Sequence, residues 1–277
     1  MTRRRNYQSV GHNQVRLDGA DKVTGRSEFT DDVTLSGLLT GRILRCPLPR
    51  ARIRSIDTRR AEALPGVKAV VTAADAKGIW IGINQPLLSA RELYHVGQEV
   101  AAVAAIDEDT AREALRLIEV DYEQLPSLLT VKQALADGAE QLHAKAEGNV
   151  GWQTTADFGD PDAAFAGAHH VRTDNYITHP THNCYAEFHV VVADFTRPGK
   201  LTVWTPTQTA LLFQKSLAGG FRLPESDVRI MCLNTGGGFT GRTSTRPHHF
   251  LAALLSRKSG RPVKIRATGD EEFIMCR

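Results

Sequence analysis

The sequence predicts an α/β or α+β protein, and three observations carry that expectation. Strand-like and helix-like stretches alternate along the chain, as they do where sheets and helices share layers. EVAAVAAID at 99–107 is apolar almost throughout, as a strand buried on both faces would be. GGGFTG at 236–241 stands between a strand-like stretch and a helix-like one, at the sheet edge where open α/β sheets usually take ligands.

The first block runs from about Gln14 to Pro126. GLLTGRILRCP and ARIRSIDT read as strands, RRAEALPG as a short helix and VKAVVTAAD as a strand. After the buried run, EDTAREALRLI reads as a helix, because Ala111, Ala114, Leu115 and Ile118 share one face. Thr110 and Glu113 are expected to form its capping box. IEVDYEQLP returns as a strand that Pro126 ends. Residues 127–150 are irregular and are expected to connect two domains.

The second block begins near Gly151. AEFHVVVADF and KLTVWTPTQ read as strands about a Pro198-Gly199 turn, with Trp204 as core at a strand end. TALLFQKSLAGG reads as a helix stopped at Gly219 or Gly220, and DVRIMCLN as a strand. HHFLAALLSRKSG is a helix closed by Lys258 and Gly260, with His248 and His249 expected to be exposed in its first turn. RPVKIRAT is the last strand.

The composition excludes little. An apolar fraction of 42% and a charged fraction of 23% suit a globular core, and a net charge of +3 does not suggest a nucleic-acid surface. Arg3, Arg4 and Arg5 precede no apolar segment, so we expect a basic tail over residues 1–13 and a cytoplasmic protein. No stretch approaches the roughly 18 apolar residues of a membrane span. Cys46, Cys184, Cys232 and Cys276 are scattered and are expected to be buried thiols. His179 and His182 lie three apart across Pro180, which argues for a loop, and no third metal ligand suggests itself.

The glycine loop admits three readings. Gly236 to Thr243 has P-loop spacing, but Arg242 replaces the lysine and Pro247 falls where the helix should already be running. A tight turn needs one or two glycines rather than three in a row. A cofactor cradle would bring backbone N–H groups to bear on oxo or phosphate oxygens, with Phe239 as an apolar wall. The residues alone leave the last two open.

The order of motifs is more specific. WTPTQ at 204–208, a helix, a strand, GGGFTGRT, a helix and GRPVKIRATGDEEF together resemble the molybdopterin-binding subunit of the xanthine oxidase family of molybdenum hydroxylases. DGADKVTGRSEFTDDV, RILRCPLPRARIRSIDT, LPGVKAVVTAAD and EVAAVAAIDEDTAREALRLIEVDYEQLP resemble the hammerhead domain of the same family. The resemblance implies a hammerhead-like domain over 14–126, a connecting segment over 127–150 and the first, partial segment of a molybdopterin-binding domain over 151–277. Within the family, GRILRCP, AAVAAIDEDTA, VDYEQLP, GGGFTGRT and EEFIMCR most resemble the large subunit of 4-hydroxybenzoyl-CoA reductase. That would make the reaction the reductive dehydroxylation of an aromatic CoA thioester. Aldehyde, xanthine or N-heterocycle dehydrogenation, or an inactive assembly scaffold, are the alternatives.

The resemblance also implies roles. Gln208 would set its amide beside the molybdenum's oxo ligand, and Gly237, Gly238, Phe239, Thr240 and Gly241 would approach metal and pterin through backbone N–H groups. Arg242 would hold phosphate or pair with a local carboxylate. The cofactor would be molybdenum-molybdopterin in its cytosine dinucleotide form, with iron–sulfur clusters and FAD on partner subunits. Three departures matter. Thr240 stands where the family has glycine, Thr243 stands where purine- and aldehyde-oxidising members have glutamate, and Thr268-Gly269-Asp270-Glu271 lacks the family's arginine. The family's catalytic glutamate lies beyond Arg277, so a fragment or one half of a split subunit is expected. Glu187 is read as an ion-paired strand residue rather than as that base.

Overall fold

The computed structural model describes residues 7–81, 85–179 and 181–275. The expectations placed on Arg3 to Arg5, Pro180 and Cys276 lie outside those residues.

A short helix, α1 (Gly19–Val23), precedes the first strand, β1 (Leu39–Arg45). Then come β2 (Ala51–Asp57), α2 (Arg59–Ala63), β3 (Val67–Val71), the two-residue β4 (Glu92–Leu93), β5 (Glu99–Ala105), α3 (Glu108–Arg116) and β6 (Glu119–Gln124). The second half supplies α4 (Val131–Ala134), α5 (Pro161–Gly167), β7 (Val190–Arg197), β8 (Lys200–Trp204), α6 (Ala210–Phe221), β9 (Val228–Met231), α7 (Pro247–Ser259), β10 (Val263–Arg266) and α8 (Gly269–Met275).

The strands form two sheets. The larger runs β3-β5-β1-β10-β7-β8-β9, and the smaller β4-β2-β6. The larger sheet crosses the two sequence blocks, because β10 lies parallel to β1 with Val263 opposite Leu39. β5 is buried along its whole length, as its composition requires. Ala102 and Ala104 face the main core, where α7 supplies Phe250 to Leu255, while Ala101, Val103 and Ala105 face Ala61, Ala111 and Ala114 of α2 and α3.

Several local expectations change. Asp107, not Thr110, caps α3: its carboxylate accepts the Thr110 N–H at 2.8 Å, so the helix starts earlier than the Thr-Glu pattern implied. Neither Gly219 nor Gly220 stops α6. The helix runs through both to a left-handed Arg222, and a Cβ on Gly220 would lie 2.6 Å from the Phe250 ring, so glycine there allows α6 to approach α7. Cys184 and Cys232 are exposed, whereas Cys46 is buried. Trp204 ends β8 half-buried.

The segment after β6 is anchored to the first block. Buried Arg50 makes a two-pronged contact with Glu140, at 2.7 and 2.8 Å, and donates to the Pro126 carbonyl. Residues 151–179 lie on the surface, and α5 buries none of its side chains. No helix among the described residues is long and apolar enough to cross a membrane.

Candidate functional site

Two parallel neighbours, β8 and β9, place the site. Trp204 pairs with Met231 at their C-terminal ends, so both strands leave the sheet side by side. The first continues to Gln208 and the second to the glycine loop. Ligands collect at this carboxyl edge in open α/β sheets, because it gathers the loops that follow parallel strands.

Gln208 and the loop meet. The Gln208 N–H donates to the Arg242 carbonyl at 3.0 Å, and the Thr207 hydroxyl donates to the same oxygen at 3.3 Å. The Gln208 side chain packs on Gly238 so closely that a Cβ there would sit 2.7 Å from its Cδ. Its amide makes no hydrogen bond among the described residues and is open to solvent.

The loop is turned back on itself. Gly241 N–H donates to Gly238 O at 2.8 Å, closing a turn whose central residues, Phe239 and Thr240, have φ of 39° and 64°. Gly237 precedes them at φ 117°. A left-handed backbone costs an L-residue about 1–2 kcal/mol, so this turn is held by its surroundings. Tyr185 is buried beneath it, stacked on Phe239 with ring centroids 6.1 Å apart. The Tyr185 hydroxyl occupies the space a Cβ on Gly241 would need. Asn183 donates to the Tyr185 oxygen at 2.9 Å and to the Phe239 carbonyl at 3.1 Å.

This geometry leaves the N–H groups of Gly237, Gly238, Phe239 and Thr240 without hydrogen bonds among the described residues. Four consecutive donors beside an unspent amide suit a ligand rich in oxygen acceptors.

Arg242 faces inward. It is 1% exposed, and its guanidinium lies 3.0 Å from the Glu187 carboxylate and 5.0 Å from the Tyr185 ring centroid. Of the two roles open to it, pairing with a local carboxylate is the one its geometry fulfils. α7 begins at Pro247, five residues after Arg242, whereas a P-loop runs into its helix at the basic residue. Glu187 lies in the loop before β7 and is ion-paired, as its sequence suggested, although it is not in the strand itself.

His248 and His249 are each 2% exposed, not exposed as expected. α7 is packed against the large sheet from its first turn, which buries both rings. The His249 Nε2 lies 3.1 Å from the Thr205 hydroxyl, while neither His248 ring nitrogen has a partner among the described residues. Burial pushes the His248 imidazole far below its usual range, reinforced by the charges of His249, His189, Arg246 and Arg45. Burial likewise takes His249 down to about 3. Next to them, buried His189 pairs with Glu272 at 2.9 Å. Burial alone would raise the Glu272 pKa, but hydrogen bonds from His189 lower it.

His182 is structural. Its Nδ1 accepts the Cys184 N–H at 2.8 Å and its ring stacks on Phe273. His179 is exposed, and the described residues hold no grouping of three His, Cys, Asp or Glu suited to a metal ion. A cavity of about 290 Å³ is lined by Arg45, His95, Glu99, Thr245, Arg246 and Ile274 among others, but by neither Gln208 nor Gly236 to Gly241. It is distinct from the Gln208–glycine-loop site.

Sequence reasoning missed Asn183 and Tyr185. No regular spacing marks them: Cys184 between them has φ of 48°, and the chain bends at Ala186 and Glu187 before β7 begins, so their place beneath the loop is set by tertiary contacts.

Comparison with known proteins gives the family. Residues 142–277 match the molybdopterin cofactor-binding domain, and residues 24–126 match the aldehyde oxidase and xanthine dehydrogenase a/b hammerhead domain. The chain belongs to the xanthine oxidase family of molybdopterin-binding subunits. It is 36% identical over 262 residues to a probable xanthine dehydrogenase subunit of Bacillus subtilis, covering 93% of this chain and 35% of that protein. It is 33% identical to the nicotinate dehydrogenase large molybdopterin subunit of Eubacterium barkeri, covering 96% of this chain and 63% of that one. Its fold superposes on reconstituted CO dehydrogenase from Oligotropha carboxidovorans with a TM-score of 0.87 at 31% identity, over 95% of this chain and 35% of that one. The chain thus spans between a third and two thirds of the length of these relatives.

The residues fit the cofactor that the family binds. The free N–H groups of Gly237 to Thr240 and the Gln208 amide are neutral donors, suited to oxo and phosphate oxygens. The glycine at 238 lets the Gln208 side chain lie directly against the loop backbone, which brings the amide and the N–H groups together.

Proposed function

We infer that this chain supplies the entry half of a molybdopterin site in a hydroxylating dehydrogenase, with a small N-heterocycle or aldehyde as substrate. One observation carries the reading: the Gln208 amide rests against Gly238, beside four consecutive unspent N–H groups, where two parallel strands end. When bound, the molybdenum group supplies exchange of an oxygen atom and two electrons with a substrate carbon.

The chain's own residues bind and orient. The Gln208 amide meets an oxygen ligand without adding charge. The N–H groups of Gly237 to Thr240 fix further oxygens in place and need no rearrangement at the moment of reaction. Phe239, 64% exposed and stacked on Tyr185, forms an apolar wall that excludes water on one side. Arg242 acts through the loop's backbone rather than as a phosphate ligand.

The nicotinate and xanthine dehydrogenases named among the relatives support an oxidative direction. Thr243, where many purine- and aldehyde-oxidising members have a glutamate, weakens a purine-oxidase reading. The reading from GRILRCP and EEFIMCR, reduction of an aromatic CoA thioester, is the second candidate. The domains we assign are 14–126 and 151–277 joined by 127–150, with iron–sulfur and FAD subunits as partners, a further polypeptide stretch completing the site, the cytosine dinucleotide form of the cofactor and a cytoplasmic location.

The test is the molybdenum and pterin content of the complex purified from its native host through a tag on this chain. Stoichiometric metal, with dye reduction on N-heterocycles, is the expected result. Turnover only of aromatic acyl-CoA thioesters with a reductant would replace the oxidative reading. A complex without molybdenum would overturn both.

A further inference from the structure

The loop's shape needs a holder. Gly237, Phe239 and Thr240 all have positive φ, and two of them are not glycine, so this backbone persists only where neighbours over-determine it. Glu187 is bonded to both ends of it. At the near end, its carboxylate Oε2 accepts the Gly236 N–H at 2.8 Å, and its own N–H donates to Gly236 O at 3.4 Å. At the far end, the same Oε2 meets Arg242 Nη1 at 3.0 Å, and the Glu187 carbonyl accepts Arg242 Nη2. Both partners are shielded, with Glu187 10% and Arg242 1% exposed at the side chain. Water therefore competes poorly for these bonds, and they are stronger than a surface pair's.

The connection extends to the second site segment. The Arg242 carbonyl is the acceptor that holds both the Gln208 N–H and the Thr207 hydroxyl. One carboxylate thus fixes an arginine that fixes the relative placement of loop and glutamine. Gly236 lies in contact with the same side chain, where a Cβ would fall 2.5 Å from the Glu187 Cβ.

We propose that Glu187 is the positioning residue of this site: clasping Gly236 and Arg242, it holds the loop in the conformation that leaves the N–H groups of Gly237 to Thr240 free for the cofactor. The inference rests on the molybdopterin reading for the identity of the ligand, but the clasp itself does not. Glu187 does not exchange protons with substrate in this role. Its work is done before any substrate arrives.

The experiment uses the tagged complex from its native host, as wild type, Glu187→Ala and Glu187→Gln. Backbone hydrogen exchange across 234–243 and molybdenum per chain are measured on each. In Glu187→Ala, exchange at Gly236 and Gly241 rises about tenfold or more while that of β5 and α7 is unchanged, and molybdenum content falls several-fold. Glu187→Gln keeps an acceptor for the Gly236 N–H and recovers part of both. Wild-type exchange and metal content in Glu187→Ala would overturn the proposal, as would an equal loss in the two variants. If Glu187→Ala loses protection throughout the sheet, Arg242→Lys decides. It keeps the charge and cannot reach both the Glu187 carboxylate and its carbonyl, so loosening confined to 234–243 is expected and an unchanged loop overturns the clasp. A wild-type complex without molybdenum would defeat the cofactor reading alone, because loop exchange still reports on Glu187.

Discussion

The side chain of Gln208 and the backbone of Gly238 touch with no room for a methyl group between them: a Cβ on Gly238 would lie 2.7 Å from Gln208 Cδ and 2.9 Å from its Oε1. The residues are thirty apart in sequence and belong to loops after different strands. Their contact defines where the two halves of the site join.

Gly238→Ala therefore displaces the amide while leaving the sheet intact. Turnover by the metal-loaded complex should fall by at least about tenfold, since catalytic geometry tolerates little displacement. The melting temperature of the complex should stay close to wild type. Activity measured per molybdenum separates this from simple loss of cofactor, and an unchanged rate would show that the contact is incidental.

Thr240 is a β-branched residue at φ 64°. Thr240→Gly should stabilise the chain by about 1 kcal/mol, the order of the left-handed penalty it removes. Denaturant unfolding gives the number directly. A loss of stability would mean that the Thr240 hydroxyl, which donates to the Phe239 carbonyl at 2.6 Å, outweighs the strain.

Buried His248 and His249 make the fold sensitive to acid. Both have folded pKa values depressed below the ordinary 6.5, His249 to about 3, so the unfolded chain binds protons that the folded chain refuses. Stability is then fully present above about pH 6.5 and declines as pH falls toward 3, at up to about 1.4 kcal/mol per pH unit for each histidine. Glu272, also depressed, adds to the loss at the acid end. Urea unfolding at pH 7, 6 and 5 should show the decline, and His248→Phe should flatten it. A stability independent of pH over that range would refute the assignment.

Glu271 joins the blocks at a second place. Its carboxylate meets Arg45 of β1 at 2.8 Å and Arg42 at 3.6 Å, and it accepts the Thr268 N–H while the Thr268 hydroxyl accepts its own. That reciprocal pair is a capping box at the start of α8. Glu271→Ala removes one of the two carboxylates on Arg45, which keeps Glu99 at 2.8 Å, and opens the cap, so a loss of about 1–2 kcal/mol is expected by thermal or denaturant unfolding. Glu271→Gln, which keeps the cap geometry, should cost less.

Much of this was legible in the chain. The apolar run at 99–105 suited a strand covered on both sides, and it is one. HHFLAALLSRKSG read as a helix and is α7, which Pro247 opens at the first helical position, where a missing N–H costs nothing. The alternation of strand and helix fixed the fold class, and the order of WTPTQ, GGGFTGRT and GRPVK identified the family. Each of these is a local property, written in periodicity and in residues with special backbones.

What remained hidden depends on contacts between residues far apart. Nothing near Thr40 says that it will lie opposite Lys264, yet that parallel pairing makes one sheet of two sequence blocks. His248 and His249 look like exposed polar residues in sequence and are buried, since burial is decided by the sheet that α7 meets. Arg242 could have held a phosphate, and only the arrival of Glu187 from 55 residues away commits it to a carboxylate. The sequence by itself determined the longer strands and helices, the family and the chemistry on offer, because propensity and pattern act over a few residues. The tertiary structure alone decided which groups are spent on one another and which are left for a ligand, because hydrogen bonds and burial are settled only when distant segments pack.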